Sequence, residues 1–276
     1  MSLARAGRLG MAICLAEAAI YDREAMNSNT AARVALVTGS ARGLGRSIAE
    51  ALAQQDITLM LVDMLADRLE ATRRELHEAG ARCAAFATDI SVRANCIAAV
   101  DATIAAFGRL DILINAAGLM RFNHATEVPE EEFWRIIQVN AAAPFWFAQA
   151  AIPHLLTTEG NIVNVLSQSA LMGTPYLVPY SMSKAALLQL TKSLAMEFAD
   201  KPIRINAVAP GAMLTEISTG TRPPADADIA KIRRYSGQRP PANAAEVAAV
   251  VAFISSPLAS TVHGAIWTAD GGVTAG

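Results

Sequence analysis

The sequence predicts an α/β protein: a single domain built on one doubly wound sheet of about seven parallel strands, with helices on both faces. Two observations point there. Short apolar runs recur along the chain and alternate with longer helical stretches. Most of these runs are apolar throughout rather than at every second position, the pattern of a strand buried on both faces. Strict alternation of strand and helix then makes one parallel sheet with right-handed crossovers the economical topology.

Composition agrees. Of 276 residues, 53% are aliphatic, aromatic or Cys and 17% are charged, which suits a covered sheet and not a disordered or fibrous chain. The net charge of −2 offers nothing to a nucleic acid. Cys14, Cys83 and Cys96 show no Cys-x-x-Cys spacing and read as reduced thiols of a reducing, cytoplasmic compartment. His77, His124, His154 and His263 are scattered, so no metal site is expected.

Residues 1–30 stand outside the pattern. Arg5 and Arg8 precede an apolar run from Leu9 to Ala16, which Glu17 interrupts. The run is too short to span a membrane. It reads as a poorly ordered N-terminal extension, with a leader or short amphipathic helix as the other reading. Met26 is a second candidate start. Residues 31–276 form the domain, and no run elsewhere reads as transmembrane.

Arg33 to Thr38 is the first strand. It runs into Gly39-Ser40-Ala41-Arg42-Gly43-Leu44-Gly45, and Arg46 to Gln55 is helical. Strand, glycine turn and helix make a phosphate-binding unit. The glycines let the backbone approach a pyrophosphate, and the helix N-terminus offers N–H groups and partial positive charge. The spacing Gly-x-x-x-Gly-x-Gly differs from the Gly-x-Gly-x-x-Gly dinucleotide fingerprint. Ile57 to Val62 is the second strand and ends at Asp63. A carboxylate there can hold both hydroxyls of an adenosine ribose and repels a 2′-phosphate, which favours NAD over NADP. Arg42 pulls the other way if it pairs with that phosphate; it can equally meet the pyrophosphate or water. Asp63 carries more weight, because Arg42 can turn away and the carboxylate repulsion stays.

Asp67 to Gly80 reads as a charged helix. Arg82 to Thr88 is the third strand, closed by Asp89-Ile90. Asp89 can accept from an adenine amino group or cap the next helix, with Ser91 as a competing cap. Val92 to Phe107 is that helix, stopped by Gly108. Leu110 to Ile114 is the fourth strand and leads into Asn115-Ala116-Ala117-Gly118, small residues suited to a close approach; Asp111 reads as structural. Glu130 to Val139 is helical. Asn140 then interrupts an apolar stretch and needs a partner, before the helix resumes through Phe145 to Leu156. Asn161 to Leu166 is the fifth strand, with Ser167-Gln168-Ser169 at its C-terminal end, where open α/β sheets place ligands. Tyr176 to Phe198 is a long helix. Ile203 to Val208 is the sixth strand, closed by Ala209-Pro210-Gly211. From 212 to 242 the pattern dissolves among Pro223, Pro224, Pro240 and Pro241, which marks a candidate substrate lid. Ala244 to Ser255 is helical and Ala265 to Thr268 is the seventh strand.

Tyr180 and Lys184 lie four apart on the long helix and so share a face. A phenol titrates near about 10, and a nearby ammonium favours the phenolate. The pair is a candidate proton relay for a carbonyl or an alcohol, although the spacing alone also fits a helix with one aromatic and one solvated lysine.

Together these residues make the chain similar to the short-chain dehydrogenases/reductases, from about Ala31 to the end. The matching pieces are Thr38 to Gly45, Asn115-Ala116-Ala117-Gly118, Asn140, Ser167, Tyr180-Ser181-Met182-Ser183-Lys184 and Pro210-Gly211. The resemblance implies a Rossmann-type fold and NAD-dependent interconversion of a secondary alcohol and a ketone. It implies Tyr180 as general acid/base, Lys184 lowering its pKa and holding the nicotinamide ribose, and Asn140 anchoring a water beside Lys184. Ser167, thirteen positions before Tyr180, would bind the substrate oxygen; Ser169 is the nearby residue it could be confused with. Implied cofactor contacts are Gly39, Ala41, Arg42, Gly43, Leu44, Gly45, Asp63, Asp89, Ile90, Asn115, Ala116, Gly118, Tyr180, Lys184, Pro210, Gly211, Met213 and Thr215, with Ile203 also bordering the nicotinamide. Family members are commonly tetramers, which implies a homotetramer or homodimer paired through the helices carrying Asn140 and Tyr180. An NADPH-dependent 3-oxoacyl thioester reductase is the alternative within the family; a non-catalytic cofactor sensor is opposed by the intact Asn140, Ser167, Tyr180 and Lys184. Leu119, Met120, Met172, Gly173 and Val178 suggest an apolar site for a small-molecule alcohol or ketone. Arg121 either binds an anionic group or faces water.

Overall fold

The computed structural model describes residues 32–213, 221–237 and 239–275. The N-terminal extension, Cys14, Met26 and Thr215 lie outside these residues. Among the described residues, seven strands form one sheet: β1 Val34–Thr38, β2 Thr58–Asp63, β3 Cys83–Ala87, β4 Ile112–Asn115, β5 Asn161–Val165, β6 Arg204–Pro210 and β7 Ile266–Ala269. Their helices are α1 Gly43–Ala53, α2 Ala66–Glu78, α3 Arg93–Phe107, α4 Glu130–Ile137, α5 Ala143–Thr157, α6 Val178–Glu197, α7 Ile229–Arg233 and α8 Ala244–Ser255.

The strand order is β3-β2-β1-β4-β5-β6-β7 and every pairing is parallel. The chain builds outward from β1 to β3, then crosses to the other side of β1 for β4. That reversal opens a crevice above the C-terminal ends of β1 and β4, because the crossovers on either side leave in opposite directions.

The apolar runs have partners on both sides, as their composition requires. In β1, Ala35 and Val37 pack with α1, α2 and α8, against Ile48, Leu69 and Val251. Leu36 faces the other way, among Val100 of α3 and Phe147 and Leu155 of α5. In β4, Ile112 and Ile114 take the first face and Leu113 the second. A slip of one residue would exchange the two cores, so register is strongly specified. At the end of the sheet away from the crevice, Asp111 accepts from the Val34 N–H at 2.8 Å and pairs with Arg109 at 2.6 Å. Its role there is structural, as its position in the strand suggests.

Two segments differ from the expected pattern. The helix does not break at Asn140: Gln138–Ala142 forms a π-helix between α4 and α5, absorbing the polar residue within one continuous run. π-turns of this kind recur at functional sites. The described residues of the 212–242 segment are less formless than their sequence. They hold the short α7, capped by Asp228, whose carboxylate accepts from the Ala230 N–H at 2.9 Å. A parallel bridge joins Met213 to Ala242, and the Ala242 N–H donates to the Ala212 carbonyl at 3.0 Å.

Candidate active site

The glycine turn is shaped by contact. Gly39 has φ of 73°, and a Cβ there would lie 2.8 Å from the Ala117 Cα. A Cβ on Gly45 would lie 2.1 Å from the Gly39 carbonyl oxygen. Helix α1 therefore sits directly on the turn, with its N-terminus opening toward the crevice. Thr38 fastens the other rim: its hydroxyl donates to the Ile114 carbonyl at 3.3 Å and accepts from the N–H groups of Ala116 and Ala117 at 3.0 and 3.1 Å. Sequence reading assigned Thr38 no task, although a polar residue ending an apolar run was the available signal.

A cavity of about 460 Å³ occupies the crevice, a size typical of small-molecule sites. Its wall includes Gly39, Arg42, Gly43, Leu44 and Gly45 of the turn, then Asp63, Asp89 and Ile90 at the ends of β2 and β3. It continues through Ala116 and Gly118 to Ser167, Tyr180 and Lys184, and closes on Pro210, Gly211 and Met213. Ala41 and Asn115 are not in the wall. The Ala41 N–H donates to Asp63 Oδ2 at 3.1 Å, and the Leu65 N–H donates to Oδ1 at 3.1 Å, so Asp63 is held from two sides. Asn115 donates to Asn164 Oδ1 at 2.8 Å and ties β4 to β5. Leu119 and Met120 line the cavity; Met172, Gly173 and Val178 do not. Arg121 also lines it, donating to the Met120 carbonyl at 2.9 Å with Glu132 at 3.9 Å.

Tyr180 and Lys184 sit in the first turns of α6, where Pro179 is tolerated because its missing N–H would have no helical partner. The Lys184 ammonium is buried and donates to the Val165 carbonyl at 2.7 Å, at the end of the strand that leads to Ser167. It lies 5.9 Å from the centre of the Tyr180 ring. Ser167 caps the short 3₁₀ turn Gln168–Ala170, accepting from the Ser169 N–H at 3.2 Å. Asn140 stays out of the wall and holds the parts together. Its Oδ1 accepts from the Leu119 N–H at 2.7 Å, and its Nδ2 donates to the Leu119 carbonyl at 2.8 Å and the Ser183 hydroxyl at 2.9 Å. Ser183 in turn donates to the Tyr180 carbonyl at 2.7 Å. One amide thus locks the loop after β4 to the start of α6.

The charges differ from the simple expectation. Spacing alone has Lys184 lowering the Tyr180 pKa. Burial pushes the phenol above its ordinary value, and a hydrogen bond with Ser167 offsets part of that rise. Burial also lowers the Lys184 ammonium from 10.5 to about 8. Desolvation is the largest influence on both groups, because burial disfavours the charged form of each. Asp89 is pushed up by burial, but hydrogen bonds from Arg135 and Ser91 outweigh this and leave it below the usual carboxylate range.

The residues fit a dinucleotide. Gly39 and Gly45 leave no room for side chains, and Asp63 ends β2, where a ribose-binding carboxylate stands in dinucleotide folds. A Cβ on Gly118 would come to 3.6 Å from Lys184 Nζ, so the glycine keeps the approach to the ammonium open. Among the described residues, no group of three His, Cys, Asp or Glu could hold a metal ion, and no helix is long and apolar enough to cross a membrane.

A doubly wound sheet with this crevice, lined by Ser167, Tyr180 and Lys184, suits a nucleotide-dependent oxidoreductase. A family model described as short chain dehydrogenase matches residues 33–226. The chain is 38% identical over 255 residues to a 4-formylbenzenesulfonate dehydrogenase of Comamonas testosteroni, covering 90% of this chain and 99% of that one. A short chain dehydrogenase from Burkholderia cenocepacia J2315, solved in complex with NADP, has a TM-score of 0.79 and 32% identity, covering 87% and 97% of the two chains. A 3-ketoacyl-(acyl-carrier-protein) reductase from Brucella melitensis, complexed with NADH, has a TM-score of 0.80 and 31% identity, covering 89% and 100%. The chain belongs to the short-chain dehydrogenases, NAD(P)-dependent oxidoreductases that act on CH–OH groups.

Proposed function

We propose that this protein is an NAD-preferring oxidoreductase that interconverts a secondary alcohol and a ketone, with Tyr180 as general acid/base. The observation that carries this reading is a single cavity wall shared by Ser167, Tyr180, Lys184, the glycine turn and Asp63. The turn and the N-terminus of α1 would hold the pyrophosphate, Asp63 the adenosine ribose hydroxyls, and Asp89 and Ile90 the adenine. Lys184 would hold the nicotinamide ribose, bordered by Pro210, Gly211 and Met213, with Thr215 on a phosphate. When bound, the nicotinamide supplies the hydride acceptor or donor and, oxidised, a positive charge that favours phenolate.

Tyr180 gives its phenolic proton to a ketone oxygen or takes the proton of an alcohol. Ser167 donates a hydrogen bond to the same oxygen and stabilises the charge that develops there. The Lys184 ammonium supports the phenolate, and Asn140 anchors a water that connects Lys184 to solvent. Residues 1–30 are an extension, and 31–276 one catalytic domain whose 212–242 segment covers the substrate. The protein acts in the cytoplasm on a small molecule, as a homotetramer or homodimer.

A second reading, an NADPH-dependent 3-oxoacyl thioester reductase, draws its cofactor from Arg42 in the cavity wall and its reaction alone from the likeness to the Brucella melitensis reductase, which was solved with NADH. Asp63 opposes it. Fluorescence titration with NADH and NADPH separates the two: tighter NADPH binding would reject the Asp63 argument. Tyr180→Phe should lower kcat by about 10²- to 10⁴-fold while leaving NADH binding in place; near-normal turnover would remove Tyr180 as the acid/base.

A further inference from the structure

Arg135 belongs to α4, and the proposed reaction gives it no task. Arg135 nevertheless lines the cavity, as does Val139 one turn further on. Nη1 donates to Asp89 Oδ2 at 2.8 Å and to the Ser91 hydroxyl, and Nη2 lies 3.9 Å from Met64 Sδ. Met64 follows β2 directly after Asp63, and Asp89 and Ser91 follow β3. One planar cation therefore joins α4 to the ends of two strands.

Fold stability explains this poorly, since the Arg135 and Asp89 side chains are 32% and 38% exposed and an ion pair that open contributes little. A ligand explains it better. The hydrogen bonds use N–H groups at the edge of the guanidinium, and a guanidinium held by its edge offers a flat cationic face, which stacks on aromatic rings. Met64 is 60% exposed although apolar, and a thioether is a soft, polarisable surface for a ring. Both line the same cavity as Asp63, where the adenosine ribose would sit.

We propose that Arg135 is a cofactor-binding residue whose guanidinium, braced by Asp89 and Ser91, forms with Met64 the compartment for the adenine ring. This rests on the dinucleotide reading above. Asp89 sets the angle of the guanidinium, so the ion pair positions a stacking surface.

The test is calorimetric titration of the full chain with NADH, NADPH and AMP, for wild type, Arg135→Met and Arg135→Lys, alongside thermal unfolding. Arg135→Met should weaken NADH and AMP alike by about tenfold, the size expected for a desolvated cation–π contact. Arg135→Lys, which keeps the charge and loses the plane, should fall between, and neither should shift Tm materially. Unchanged affinity in Arg135→Met overturns the proposal. A loss confined to NADPH overturns it by placing the guanidinium on a 2′-phosphate. Comparing Arg135→Met in an Asp89→Asn background isolates direct contact: a further loss supports stacking, and no further loss means that Arg135 acts only by holding Asp89, which also overturns it. A wild type that binds neither dinucleotide would reject the cofactor reading itself, a result distinct from equal binding by wild type and variant.

Discussion

Replacing Lys184 with methionine is expected to stabilise the ligand-free protein while abolishing activity. The lysine is 3% exposed, and burial lowers its pKa from 10.5 to about 8. A tenfold change in proton affinity is worth about 1.4 kcal/mol, so keeping this lysine charged at neutral pH costs the fold roughly 3 kcal/mol relative to the unfolded chain. Methionine is of similar length and has no charge to desolvate. It forfeits the hydrogen bond to the Val165 carbonyl, worth roughly 1 kcal/mol. The net expectation is a gain of about 2 kcal/mol. The sign can be checked with pH. The folded pKa lies below the unfolded one, so between about 8 and 10.5 the folded protein binds fewer protons and wild-type stability rises with pH. The variant lacks that rise, and its advantage should shrink across the same window. Urea unfolding followed by circular dichroism at pH 7 and pH 10 reads both quantities. A variant less stable at pH 7, or an advantage that does not narrow at pH 10, refutes the reasoning.

Asn140→Ala should destabilise the fold by about 2–4 kcal/mol in urea unfolding, because Leu119 and Ser183 lose a buried partner together; a cost below about 1 kcal/mol would show that the loop is held some other way. Gly45→Ala should abolish NADH binding or folding, since its Cβ would fall 2.1 Å from the Gly39 oxygen. Gly173→Ala, with nothing within 4 Å, should match wild type in both assays and serves as the control. The hydrogen bond to Asp226 raises the His124 pKa, so what the pair adds to stability is present below the ordinary histidine pKa and fades as pH rises through the raised value. Asp226→Asn should bring the His124 titration back down in an NMR pH series; an unmoved titration would sink that assignment.

Much of the architecture was legible because buried parallel strands write themselves as unbroken apolar runs. Asn140 announced itself as a polar amide that needed partners. What those partners are depends on the loop after β4 folding back onto α6, which no local pattern encodes. The π-helix was illegible for the same reason: it is a compromise between two helical registers. At Tyr180 the spacing reported the proximity of Lys184 but not the burial that pushes the phenol up. Arg135 was missed because a single arginine in an acidic helix looks solvated. Its signal was Val139, four residues on and destined for the same face. Tyr176 adopts a φ of 66°, unusual for a bulky residue; its carbonyl accepts from the Asn123 N–H at 2.9 Å and its hydroxyl from the Asp228 N–H at 2.8 Å. Such strain is set by distant segments and leaves no mark on neighbouring residues.

The bridge between Met213 and Ala242 has a consequence for how this scaffold can diversify. Because the two ends of the intervening stretch are stapled to each other by backbone, the sheet does not register how many residues lie between them. Doubling the length of such a loop adds only about 0.6 kcal/mol of closure entropy. The stretch is therefore the place where insertions, deletions and grafts from relatives should be tolerated, leaving the frame of glycine turn, Asp63 and α6 in place while the contour over the crevice is rewritten.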